Sequence, residues 1–230
     1  MDLTNYSCRN CRIKSRAVSV LEHDQLAILE QGCSQTDFSK GELILKENAP
    51  AQFVTYIRQG FVKLYKKGIS AKEYILSISG EGAFLGLQNL DEKRKTNYFS
   101  AVAITDTKVC YLDIHYFDQL LKMNGAFASE VISYIFHDEM NYFERLINNV
   151  QQQLPGRLAT ALLYFYRQVY KKNPFELNLT KAELASLIGT SRESVTRQLK
   201  SFHDDGIIEL QKSQIVIRDE NKLEEIKQKG

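Results

Sequence analysis

The sequence predicts an α+β chain in three parts: an N-terminal jelly-roll or β-roll, one long helix, and a C-terminal winged helix-turn-helix. Three observations predict it. Short apolar strands punctuated by glycine fill residues 33 to 112, apolar residues recur at near-heptad spacing from 132 to 154, and two short capped helices flank Gly189-Thr190-Ser191 ahead of a hairpin pattern. At 230 residues, 43% hydrophobic and 25% charged, the chain has ordinary globular composition and room for buried cores. No run of 18 apolar residues occurs and the opening MDLTNYS lacks an apolar signal core, so a cytoplasmic protein without a membrane partner is expected.

Residues 1–20 form a segment carrying Cys8 and Cys11 in SCRNCRIKSR, followed by a helical pattern at 21–29. Two thiolates two residues apart can point at one ion, but a metal site needs further ligands. Four cysteines in an unsecreted chain are otherwise reduced thiols, with Cys33 and Cys110 read as small buried hydrophobes. The runs 43–45, 53–57, 61–65, 74–78 and 109–112 are the clearest strands, and Gly41, Gly60, Gly68, Gly80 and Gly82 mark turns. Regular short strands of this kind argue a β-roll, placed within residues 21–125.

A short helix is expected at 115–122, a break at Gly125, and the longest helix in the segment 126–154. Its Ile132, Phe136, Met140, Phe143, Ile147 and Val150 form a seam at coiled-coil spacing, which reads as a dimer interface. Val131 and Ile135 are expected to pack on the chain's own β-roll instead. Leu154-Pro155-Gly156 reads as a hinge that opens a final domain at 155–230, whose first helix covers 157–170.

Within that domain, Leu184, Leu187 and Ile188 give one amphipathic helix, and Val195, Leu199 and Phe202 give another over 191–202. Thr180 with Glu183 makes a capping box, and Ser191 can cap the second helix. Two short helices joined by a glycine-containing turn are the helix-turn-helix pattern. With the apolar residues inward, Arg192, Glu193, Thr196 and Arg197 fall outward. Arg can bridge guanine O6 and N7 and Glu can accept from cytosine N4, so the face suits a major groove. Thr180, Ser191, Ser194, Lys200 and Lys212 complete the expected DNA contacts. The runs 207–210 and 214–217 around Lys212 read as the wing, and 219–230 as a short or frayed helix. From Pro155 onward 13 Lys+Arg face 10 Asp+Glu, a net of +3, against −1 for the rest, which supports a nucleic-acid partner only through a concentrated local face.

GTSRESVTRQLKSFHDDGIIELQKSQIVI resembles the DNA-binding end of the CRP/FNR family of bacterial transcription regulators, whose R-E-x-x-x-R recognition helix matches Arg192, Glu193 and Arg197. KGELILKENAP, YIRQGFVKLYKKG and SGEGAFLGLQNL resemble the family's cyclic-nucleotide-binding β-roll. The resemblance implies a homodimer on double-stranded operator DNA with a TGTGA-type half-site, the 126–154 helix as dimer axis, and RNA polymerase as a partner. It implies an effector pocket near Gly82, Phe84, Gly86, Leu87, Ser100 and Ala101. The phosphate-binding cassette departs from the pattern, since Gly86-Leu87-Gln88 lacks the carboxylate and Thr96 to Ala101 lacks the arginine. Arg94, in the run 92–95, reads as a solvated loop residue. cAMP is therefore not the expected ligand. The FNR branch also implies an iron–sulfur cluster on Cys8, Cys11 and Cys110; Ala17 stands where a third N-terminal cysteine belongs, which disfavours it and leaves Cys33 or a non-cysteine ligand to complete the set.

The four histidines show no ligand spacing, and no nucleophile elbow, Walker loop or paired-carboxylate motif occurs, so an enzyme is not expected. The alternative is a redox or small-molecule sensor whose winged helix contacts a protein partner. Charge reversal at Arg192 discriminates the two readings.

Overall fold

The computed structural model describes residues 8–11, 13–68, 73–91 and 93–230. Positions 1–7 of the N-terminal segment and Glu92 of the basic run lie outside them. After a 3-10 turn (Cys8–Asn10) come α1 (Arg16–Ser19), α2 (His23–Gln31), β1 (Cys33–Phe38), β2 (Leu43–Leu45), β3 (Phe53–Gln59) and β4 (Val62–Lys67). Next are β5 (Glu73–Ser79), β6 (Phe84–Leu85), β7 (Ser100–Ala103), β8 (Thr107–Asp113), α3 (Ile114–Met123) and α4 (Gly125–Gln151). The chain closes with α5 (Leu154–Tyr164), β9 (Phe175–Glu176), α6 (Lys181–Leu187), α7 (Arg192–Asp204), β10 (Ile208–Gln211), β11 (Gln214–Ile217) and α8 (Glu220–Lys229). Contacts divide it into one unit of residues 1–66 and 79–139 and another of 67–78 and 140–230.

The first unit is a β-roll of antiparallel strands. One sheet has the order β1-β8-β3-β6, and in the other β7 lies between β2 and β4. Strand alternation sorts the side chains. Val54 and Tyr56 of β3 join a core with Phe84, Leu112, Phe117, Phe127 and Val131, which seats α3 and the first turns of α4. The Tyr134 hydroxyl accepts from Phe84 N–H at 3.0 Å and fixes that seat. Two expectations change here. β1, which is not among the clearest strands of the sequence because CSQTDF is mostly polar, pairs with β8 along its whole length as an edge strand with one solvated face. Ile135, expected to pack on the β-roll beside Val131, is 39% exposed, whereas Val131 is 2% exposed. At 100° per residue the two differ by one turn, and only Val131 reaches the core.

In the second unit Leu154-Pro155-Gly156 is helix rather than loop. Pro155 occupies the first turn of α5, where a missing N–H costs nothing, and the break is confined to positions 152–153. Gly156 is required by close approach, since a Cβ there would lie 2.7 Å from the backbone carbon of Gly230. The expected helix end at 165–170 winds instead as a π-helical turn that ends on Lys171. The tail is a full ten-residue helix, α8, rather than a frayed one. Asp219 caps it by accepting from Lys222 N–H at 2.8 Å, Leu223 is completely buried, and Arg167 of the π-turn donates to Glu220 at 2.9 Å and also to Glu224. A charged composition hid the one fully buried apolar residue that anchors it. β5 belongs to this unit by its contacts. The Ser186 hydroxyl on α6 donates to Glu73 C=O at 3.0 Å and accepts from Ile75 N–H at 3.3 Å.

Candidate nucleic-acid interface

Helix α6 begins where its sequence says it should. Thr180 Oγ1 accepts from Glu183 N–H at 3.2 Å while Glu183 Oε2 accepts from Thr180 N–H at 2.7 Å, so two otherwise orphaned donors are satisfied reciprocally. The chain then turns through Gly189, whose φ of +65° falls in the left-handed region that favours glycine. Arg157 of α5 buttresses this turn by donating to Gly189 C=O at 3.2 Å. Ser191 starts α7 by accepting from Ser194 N–H at 3.2 Å.

Val195, Leu199 and Phe202 seat α7, at 0%, 4% and 2% exposure. Burying three such side chains stabilises the seat by roughly 1.5–3 kcal/mol each. The opposite face carries Arg192, Glu193, Thr196, Arg197 and Lys200, all exposed. Among the described residues, Arg192, Glu193 and Arg197 make no ion pair or side-chain hydrogen bond. Their donors and acceptors are held on a seated helix and face outward. Thr196 differs, because its hydroxyl donates to Arg192 C=O at 2.8 Å and keeps only acceptor capacity outward.

The wing is the hairpin β10–β11, with Ile208 opposite Ile217 and Gln211 opposite Gln214. Sequence reading missed its third strand, β9, where Phe175 pairs with Ile215 and stacks on Tyr170 at 5.3 Å. Two residues between Asn173-Pro174 and Asn178 are too short a run for a strand pattern. Lys212 sits exposed at the hairpin tip with φ of +46°. Glu209 on the adjacent strand is held below the usual carboxylate range by hydrogen bonds from Gln211 and Arg218. Thr180, Ser191, Ser194, Lys200 and Lys212 thus all lie on the second unit: Thr180, Ser191 and Ser194 at helix starts, Lys200 in the third turn of α7, and Lys212 at the wing tip.

The residues named for an effector pocket lie in the first unit with their polar groups already used. Phe84 and Leu87 point into the helix-side core, and Ser100 Oγ accepts from Glu47 N–H at 3.0 Å. Ala101 is fully buried, while Gly82 and Gly86 hold positive φ at turns. Asn97, in the stretch 96–101 that the resemblance reads as the arginine slot, accepts from Asn89 at 3.0 Å, and Asn89 also donates to Phe53 C=O at 3.3 Å. Arg94 instead stacks on exposed Tyr98 at 5.0 Å. A cavity of about 450 Å³ opens elsewhere, in the second unit beside Tyr74, Arg145 and Thr190.

The expected seam on α4 is uncovered: Ile132, Phe136, Met140, Phe143, Ile147 and Val150 are 44–85% exposed. Single exposed apolar residues are ordinary, but a row of six along one helix marks an interaction face.

The cysteines are arranged otherwise than a shared ligand set of Cys8, Cys11 and Cys110 requires. Cys33 stands between Cys8 and Cys110, with Cys8 hydrogen-bonding to Cys33 and Cys33 to Cys110. The contact with Cys33, followed by burial, pushes the Cys8 thiol up, and the contact with Cys110 pushes Cys33 up to about 12, so both are thiols and not thiolates. No group of three or more His, Cys, Asp or Glu among the described residues is placed to hold one ion. An iron–sulfur cluster does not fit this arrangement.

Comparison with known proteins agrees with the two halves. Residues 156–226 match the family model for the Crp-like helix-turn-helix domain, and residues 35–124 match that for the cyclic nucleotide-binding domain. Over 208 residues the chain is 24% identical to the CRP-like cAMP-activated global transcriptional regulator of Mycobacterium tuberculosis, covering 88% of this chain and 92% of that one. It is 22% identical over 225 residues to electron transport regulator A of Shewanella oneidensis, with 94% and 88% covered. Its fold matches FixK2 from Bradyrhizobium japonicum with a TM-score of 0.77 at 22% identity, covering 84% of this chain and 96% of that structure.

Proposed function

The chain belongs to the CRP/FNR family of DNA-binding transcription regulators, and we propose that it reads a near-palindromic operator as a homodimer, one α7 in each of two successive major grooves about 34 Å apart. The observation that carries this reading is the outer face of α7, where Arg192, Glu193 and Arg197 stand exposed and without protein partners on a helix locked by Val195, Leu199 and Phe202. Arg192 and Arg197 bridge guanine O6 and N7, and Glu193 accepts from a cytosine N4, while Ser191, Ser194, Lys200, Lys212 and the start of α6 at Thr180 address phosphates. The uncovered α4 seam supports the dimer, its six apolar residues closing against the same face of a second copy.

The Mycobacterium tuberculosis relative is described as cAMP-activated. In this chain the polar knot of Asn89 and Asn97 at the corresponding turn supports a different effector, or activity without one. Any effector must bind the DNA-competent arrangement more tightly than the alternative to act at all. A cytoplasmic setting and contact with RNA polymerase follow from the same role. No helix among the described residues is long and apolar enough to cross a membrane.

Enrichment of random duplex DNA by the full-length protein tests the proposal. An inverted repeat with half-sites one helical turn apart is expected, and Arg192→Glu should abolish enrichment while leaving the melting temperature unchanged. Enrichment without symmetry would remove the dimer from the reading. No enriched sequence at all would leave the winged helix as a protein-binding surface.

A further inference from the structure

β11 is the middle strand of three, with β10 on one side and β9 on the other. Its β10 side is paired at all four residues, from Ile208 opposite Ile217 to Gln211 opposite Gln214. Its β9 side is paired at only two, Glu176 opposite Gln214 and Phe175 opposite Ile215. Continued in the same register, the β9 ladder brings Pro174 opposite Val216 and Asn173 opposite Ile217. Proline has no N–H to contribute, and the backbone ladder stops there. The Asn173 side chain supplies the next rung. Its Oδ1 accepts from Ile217 N–H and its Nδ2 donates to Ile217 C=O, both at 2.9 Å. A hydrogen-bonded pair in an antiparallel ladder exchanges one bond in each direction, and here an amide side chain makes that exchange in place of a backbone. The loop that carries Asn173 is itself fixed. Tyr170 before it stacks on Phe175 after it, with ring centroids 5.3 Å apart and planes at 12°, and the Tyr170 hydroxyl accepts from Asn178 N–H at 3.2 Å.

We propose that Asn173 is the positioning residue of the wing: its amide extends the hold of β9 on β11 and so keeps the tip, Lys212, where it meets the DNA backbone. The assignment rests on the reading of Lys212 as a phosphate contact. A two-stranded ribbon twists more strongly than a wider sheet and is marginal on its own, whereas a third strand steadies it. With two backbone pairs alone β9 can peel from β11, starting at the Ile217 end. The Asn173 amide closes that end, and the pair of Glu176 with Gln214 closes the other, two residues from Lys212. The outer strand therefore runs from the base of the wing nearly to its tip. Asn173 is exposed, so water can replace its amide at Ile217, while Phe175 and Ile215 remain buried at 0% and 4% exposure. Its loss acts on the wing and not on the core. Asn173 also carries no charge, so its effect on phosphate binding passes through Lys212.

The test is a double-mutant cycle in the full-length protein on the operator that enrichment yields, with the dissociation constant measured across a salt series and hydrogen exchange followed over 208–217. Asn173→Ala is expected to weaken binding several-fold and to lower the salt slope by about one. Base preference and the circular dichroism spectrum should stay unchanged, while the wing amides exchange faster. In the Lys212→Gly background the same change should cost nothing more, because the contact it positions is already gone. Equal losses with and without Lys212 would overturn the proposal, since Asn173 would then act through the fold at large. Unaltered exchange over 208–217 would overturn it as well. A salt slope that falls in Lys212→Gly and not in Asn173→Ala would end the role of Asn173 and leave the phosphate contact standing. A wing that loosens in Asn173→Ala while neither variant changes the salt slope would overturn both.

Discussion

In the proposed complex Arg197 and Lys212 both carry positive charge toward DNA, and their different surroundings predict different roles. Arg197 projects from a buried seat in the middle of α7, whereas Lys212 stands at a hairpin tip. Arg197→Ala should therefore cost about 1–3 kcal/mol of operator binding and relax preference at one base pair. Measured by competition among single-base operator variants, an equal loss on every sequence would reduce Arg197 to a phosphate contact. Lys212→Gly should weaken all sequences alike and lower the salt slope by about one. The same substitution should raise the denaturation midpoint, because a lysine at φ of +46° carries backbone strain on the order of 1 kcal/mol that glycine lacks. Contacts of this range were legible in sequence. The Thr180–Glu183 box and the Ser191 cap are set within four residues, and both stand where the pattern put them. Ile135 was not legible, because its burial depends on how far α4 extends past the sheet.

At the scale of elements, legibility followed how much apolar pattern each one carries. α7 and the wing announced themselves by three and five buried apolar residues, while β1 did not stand out and α8 showed only as a short or frayed helix, their sequences being polar on most faces. α8 hangs on Leu223 and on ion pairs. Leu223→Ala should destabilise the second unit by about 2–5 kcal/mol in a denaturant titration, the range for a buried leucine whose neighbours relax only in part. Glu225 supplies a pH signature. Hydrogen bonds from Lys222 and then Lys229 lower its carboxyl from 4.5 to about 2. A folded-state value below the unfolded one contributes stability above the unfolded value and loses it as pH falls through the folded one. Helix α8 should thus loosen between about pH 4.5 and 2, and Glu225→Gln should flatten that part of the profile. An unchanged acid limb would mean the exposed pair contributes nothing measurable.

For the molecule as a whole, function depends on which surfaces remain uncovered once the two cores are built. The order of parts was readable from the change of period, two in the strands and near 3.5 in α4. The strand order, the clustering of β5 with the helix-turn-helix, and the meeting of Cys8, Cys33 and Cys110 were not readable, since they join residues far apart in sequence. Phe136→Glu together with Met140→Glu should convert a dimer to monomer in sedimentation and lower operator affinity by well over tenfold, because two-site binding becomes one-site. A dimer that survives both changes would place the interface elsewhere.

Ser186 has one more consequence. Its hydroxyl takes the amide proton of Ile75 and returns its own to Glu73 C=O, so a side chain of α6 stands in for one rung of a strand partner. The Ile75 amide consequently exchanges with solvent deuterium only when α6 lifts away, and its uptake rate becomes a clock for that motion. Ser186→Ala should speed exchange at Ile75 while leaving Val195 and Leu199 slow. A regulator with such a clock can be screened for effectors by mass alone, with no DNA in the assay.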